Sequence, residues 1–134
     1  MIRQAFDVDG YWRVIVFYDM DYALLYGVVK VLADEGFPSW YVRQVFFNMY
    51  LGAKAVTCSN TERKVSIVIF NEHDTMEDYI NSIVHEAEHV KQAMLRAYRV
   101  EDRGEPPAYT IGYLISQMYP VFKNIICKKC LGCF

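Results

Sequence analysis

Two histidines stand four residues apart in Ile83-Val84-His85-Glu86-Ala87-Glu88-His89-Val90, with a glutamate directly after the first. The pattern is H-E-x-x-H. On a helix, residues four apart lie one turn apart on one face, so both imidazoles can reach a single zinc ion. Glu86 is rotated about 100° from His85. It then stands beside the metal without ligating it, free to take a proton from a zinc-bound water whose pKa the metal lowers to roughly 7. The pattern is specific when it falls on a helix. The plain alternative is two surface histidines in coincidence. Glu88 occupies a position that is usually uncharged; it faces solvent, pairs with Lys91 or Arg96, or disturbs the site.

A catalytic zinc needs a third protein ligand and an open position. Downstream lies Glu101-Asp102-Arg103-Gly104-Glu105-Pro106-Pro107-Ala108-Tyr109. A helix, a tight turn at Gly104 and a second antiparallel helix would carry this segment back over the histidines. Glu105, where that second helix begins, is the expected third ligand. Glu101 is the reserve, and Asp102 reads as a solvated loop charge.

With these residues in place the chain resembles a very small zincin of the gluzincin type. In that family the third-ligand glutamate often sits in E-x-x-A-D. Glu105-Pro106-Pro107-Ala108 matches, and Tyr109 replaces the aspartate that supports a zinc-bound histidine. Together with Ile111-Gly112-Tyr113-Leu114 the layout is similar to small zincin-like proteins encoded by phages and gut bacteria. The specific match covers residues 85–114, and residues 1–50 carry no family motif. The resemblance implies zinc-dependent hydrolysis of peptide bonds, with a peptide or protein as substrate. It also implies an edge strand that pairs with extended substrate, the place held here by residues 64–70; an ordinary core strand is the alternative. Attack on a peptide carbonyl further needs an oxyanion stabiliser. Tyr109 and Tyr113 are the candidates, with packing as their alternative role. A catalytically silent, metal-stabilised binding or structural protein, such as a phage factor, is the second reading.

These groups need elements to position them. Residues 11–18 (YWRVIVFY) read as a strand. Asp19 or Asp21 can cap a helix with Leu24, Leu25, Val28, Val29 and Leu32 at helical spacing, stopped by Gly36. Ser39 is a candidate cap for a second helix over 40–51, where strand stays open. Residues 53–58 and 64–70 read as strands around a polar turn, with Val65, Ile67 and Ile69 alternating with Lys64, Ser66 and Val68. Asp74 and Glu77 form a capping box before a long helix over 75–98. A last apolar helix covers 107–119, ended or kinked by Pro120. The order predicts an α+β fold, a minimal zincin-like domain over residues 1–134 with a small antiparallel sheet.

Composition narrows the function classes. The chain has 134 residues, 54% apolar and 22% charged, so it can bury a core. The net charge of −2 gives no basic field for a phosphate backbone, so nucleic acid is not an expected partner. The first residues lack the apolar core of a signal peptide. The longest uncharged run, 17 residues over 106–122, holds three prolines and reads as a buried helix more than a membrane span. A cytoplasmic protein without a membrane partner is expected, with cysteines free or metal-bound. Cys127, Cys130 and Cys133 form C-x-x-C-x-x-C, and with Cys58 they offer thiolates for a structural zinc or an iron–sulfur cluster; a fraying terminus is the stronger alternative. His73 reads as a loop histidine. The aromatic stretch 40–50 offers an oligomer face, with core packing as the default.

Overall fold

The computed structural model describes residues 1–128. The chain opens with a hairpin of β1 (Ile2–Val8) and β2 (Trp12–Tyr18), paired from Ile2↔Tyr18 to Val8↔Trp12. Asp9 and Gly10 turn the chain with φ of 55° and 72°. Asp-Gly is the dipeptide that tolerates such left-handed backbone, and it is the sequence signal for β1, which the strand pattern at 11–18 did not reveal. β1 is an edge strand with mostly exposed residues.

After β2 the chain makes one 3-10 turn (Tyr22–Leu24), capped by Asp21, whose carboxylate accepts from the Ala23 N–H at 2.9 Å. Helices α1 (Leu25–Asp34) and α2 (Ser39–Tyr50) follow. The stretch at 40–51 is therefore helical, and Pro38, not Ser39, holds its N-cap position. Strands β3 (Ala55–Asn60) and β4 (Val65–Phe70) form a second hairpin, and β4 also pairs in parallel with β2. The sheet order is β1-β2-β4-β3, so the α+β class holds, but the sheet is mixed where an antiparallel one was expected. The parallel pairing exists because the chain returns through two helices and an edge strand before β4 enters beside β2.

Position in the sheet also overturns the reading of β4 as the peptide-binding edge. It is interior, and all six of its residues are buried. Ile67 and Ile69 pack under α1 and α2 with Ile15, Phe17, Leu32 and Met49. Val68 and Phe70 face the opposite layer with Val14, Val16 and Tyr18. A strand buried on both faces has no polar side to present. The sheet's two edges are β1 and β3, and β3 is the one beside α3.

That opposite layer is built from α3 (Met76–Tyr98) and α4 (Glu105–Lys128). The α3 N-cap is Thr75, whose hydroxyl accepts from the Asp78 N–H at 3.1 Å; the expected Asp74–Glu77 box is off by one residue. α4 runs through Pro120 to Lys128. A proline inside a helix costs about 3 kcal/mol or more. Burial of Leu114, Met118, Phe122, Ile125 and Ile126 on both sides of it offsets that cost. α3 packs on β3 and β4, whereas α4 packs on β1, where Gln4 Nε2 donates to the Gln117 carbonyl at 2.8 Å. Among the described residues no helix is long and apolar enough to cross a membrane.

Candidate metal centre

Helical geometry decides which way each side chain of α3 points. At about 100° per residue, His85, His89, Ala93 and Arg96 fall within an arc of roughly 80°. Tyr79, Ile83, Ala87, Val90 and Met94 form the arc that enters the core. Glu86 lies between the two arcs and is buried, while both motif histidines are exposed. The histidine face looks past the free edge of β3.

The Nε2 atoms of His85 and His89 stand 3.1 Å apart, with ring centroids 4.8 Å apart and planes at 78°. Two nitrogens at 2.0–2.1 Å from a tetrahedral zinc are separated by about 3.3 Å. The pair therefore has the spacing of two ligands of one ion, to within a few tenths of an ångström. Glu86 is set by β3: the Thr57 hydroxyl donates to its Oε2 at 2.6 Å. Thr57 points toward α3 because side chains alternate along β3, Val56 and Cys58 packing in the α1–α2 layer. A cavity of about 370 Å³ joins these groups, lined by Ala55, Val56, Thr57 and Ser59 of the edge strand and by His85, Glu86, His89, Ala93 and Arg96 of α3. A neighbouring hollow of about 250 Å³ continues it past His85 to Asn81 and Lys54. Together they make a trough along the free sheet edge.

Glu105 does not join the histidines. Among the described residues no group of three His, Cys, Asp or Glu side chains converges as a metal site. The helix after Gly104 does return along α3, but on the flank that faces β1, away from the histidine face. Glu105 also enters beyond Tyr98, nine residues past His89. That is about 13 Å along the axis at 1.5 Å per residue. Glu101 lies in the loop beyond Tyr98, where its carboxylate pairs with Arg103 Nε at 2.5 Å, and it does not converge on the histidines either. Tyr109 and Tyr113 line a separate cavity of about 440 Å³ with Val8, Leu95 and Val100, and the Tyr113 hydroxyl donates to the Asp7 carbonyl at 3.0 Å. Neither faces the trough, so the oxyanion role is withdrawn for both.

Of the alternatives open to Glu88, the structure shows the pair with Lys91: Lys91 Nζ sits 2.7 Å from Glu88 and 2.9 Å from Asp102, tying α3 to the following loop. His73 is buried, with Nδ1 2.7 Å from the Asn71 carbonyl and Nε2 2.7 Å from the Ser82 hydroxyl. It fastens the β4–α3 connection and stacks on Tyr79 at 4.4 Å. Burial pushes its pKa below the usual histidine value, partly countered by the Asn71 carbonyl. Cys58 is buried in the α1–α2 layer. Burial pushes its thiol up to about 11, against a lowering hydrogen bond from Tyr41 and with a smaller raising influence of Glu86. Cys127 is on α4, in the layer on the other face of the sheet from the α1–α2 layer that holds Cys58. Cys130 and Cys133 lie outside the described residues.

Sequence reasoning did not identify Thr57 and Arg96. Both carry a signal: Thr57 is in phase with the α3-facing side of its strand, and Arg96 is two turns after His89. Comparison with known proteins gives no match to a family model, a curated protein or a solved structure.

Proposed function

We propose that this chain is a zinc-dependent peptidase in which His85 and His89 hold the metal and Glu86 is the general base. The observation that carries the reading is the Nε2 pair at 3.1 Å, with a buried carboxylate directly beside it. When bound, zinc polarises a peptide carbonyl and makes a water acidic enough to lose a proton near neutral pH. Thr57 holds Glu86 by Oε2, which leaves Oε1 to take the proton from the attacking water. The water oxygen bonds to the carbonyl carbon, the C–N bond breaks, and Glu86 delivers the proton to the departing amine. The free edge of β3 supplies main-chain N–H and C=O groups to an extended substrate, a mode that binds peptides with little sequence demand. His85, His89 and Glu86 lie along that edge.

One observation favours the second reading, a metal-stabilised binding protein: the absence of a third converging donor among the described residues. Glu86→Gln separates the two. Gln keeps the shape and cannot accept the proton, and a general base contributes about 10²–10⁴-fold in rate. Chelator-sensitive cleavage of an unfolded protein such as casein falls by that range while zinc content stays unchanged. Wild-type protein that binds zinc and cleaves nothing across a broad peptide library supports the binding protein.

A further inference from the structure

We infer that Arg96 anchors a carboxylate of the bound peptide, two to three residues from the position over the histidine pair. The inference rests on the trough being a peptide site. Arg96 is exposed and lines the same cavity as His85, Glu86 and His89. Its place in the last turn of α3 suits the helix dipole. The dipole, however, asks only for a cation near the helix end and does not choose the face. Seven residues after His89, two helical turns, is what puts this one on the histidine face.

Several cations of the fold are matched by carboxylates. Arg13 and Arg63 pair with Glu35, Arg103 pairs with Glu101, and Lys91 is held by two carboxylates. At the opposite end of the trough Lys54 is matched by Asp78 at 3.7 Å. Among the described residues no carboxylate pairs with Arg96. Ala93, between Arg96 and His89 on the same face, is too small to interrupt the trough.

The spacing fits a peptide. Arg96 lies about 10 Å beyond His89 along the helix, and helical side chains lean back toward the N-terminus. That span is two to three residues of extended chain at about 3.3 Å each. β3 and α3 run in the same direction, since Lys54 and Ala55 lie beside Asn81 to Glu86 while Arg96 is toward the Ser59 end. A peptide antiparallel to β3 therefore brings an upstream acidic side chain to Arg96, and a parallel one brings its C-terminal carboxylate. Either matches the planar two-donor fork of a guanidinium.

The test uses zinc-loaded Glu86→Gln protein, so that the probe stays intact, and fluorescence anisotropy with three labelled hexapeptides. One is neutral with a C-terminal amide, one is the same amide carrying a single Asp, and one ends in a free carboxylate. An acidic peptide should bind about tenfold tighter than the neutral amide at low salt. Adding Arg96→Gln should bring that ratio to within twofold without changing the Kd of the neutral peptide, and Arg96→Lys should leave an intermediate ratio. Which acidic peptide gains reports the polarity of the bound chain. A ratio that survives Arg96→Gln, or no preference when Arg96 is present, overturns the assignment and leaves the peptide trough standing. No binding of any peptide by protein that still holds zinc overturns both.

Discussion

Glu105→Ala should leave zinc uptake unchanged, and His89→Ala should abolish it. The contrast follows from where α4 lies. The two imidazole nitrogens already sit 3.1 Å apart, close to the 3.3 Å or so that one tetrahedral ion requires. Removing either leaves a single protein nitrogen. Even an outer-shell partner of a metal ligand is worth about 10–100-fold in affinity, so loss of a ligand itself should cost at least about 100-fold, or roughly 2.7 kcal/mol. Glu105 begins a helix that packs on β1, on the far flank of α3 and about 13 Å further along its axis. A glutamate side chain does not span that distance around a helix about 10 Å thick. Its replacement should change zinc affinity by less than twofold. The assay is competition with a chelating indicator, backed by metal analysis after dialysis, on wild type, His85→Ala, His89→Ala, Glu105→Ala and Glu101→Ala. A loss of tenfold or more on Glu105→Ala, in a protein with an unchanged melting temperature, would show that α4 crosses the histidine face and would refute this packing. Zinc uptake unaffected in both histidine variants would remove the metal reading itself.

Two further outcomes test the supports of the site. Thr57→Val removes the hydroxyl that donates to Glu86 Oε2 and keeps the side-chain volume. A hydrogen bond to a charged group is worth about 1.5–3 kcal/mol, so thermal unfolding should drop by several degrees and any hydrolytic rate should fall, with zinc affinity retained; an unchanged melting temperature would mean that Glu86 finds another donor. His73 gives a pH signature. Its folded pKa lies below the unfolded value near 6.5, so the unfolded chain takes up the proton more readily, and stability present above about pH 6.5 is lost as pH falls below it. The difference in urea stability between wild type and His73→Gln should shrink between pH 7 and 5; a constant difference would show that the fold does not lower the His73 pKa.

The H-E-x-x-H spacing, the helix around it and most of the other elements were legible in the chain because they depend on neighbours within a few residues. Periodicity places His85 and His89 on one face and Glu86 a step away, whatever the helix packs against. The hairpin of β3 and β4 was readable for the same reason. The strand order was not. Alternation in 64–70 is the pattern of a strand with one polar face, yet β4 lies inside the sheet beside β2, which is distant in sequence, and helix layers cover both of its faces. That pairing leaves β3 as the edge beside α3 and makes Thr57 the partner of Glu86. Glu105 was read correctly as the start of a returning helix, but a turn of six residues lets that helix fold to either flank of α3. The choice falls to the apolar stripe of α4, which finds its counterpart beside β1. Local spacing therefore determined which residues can share a metal. Only the packing of distant apolar faces decided which strand, which arginine and which glutamate stand near them.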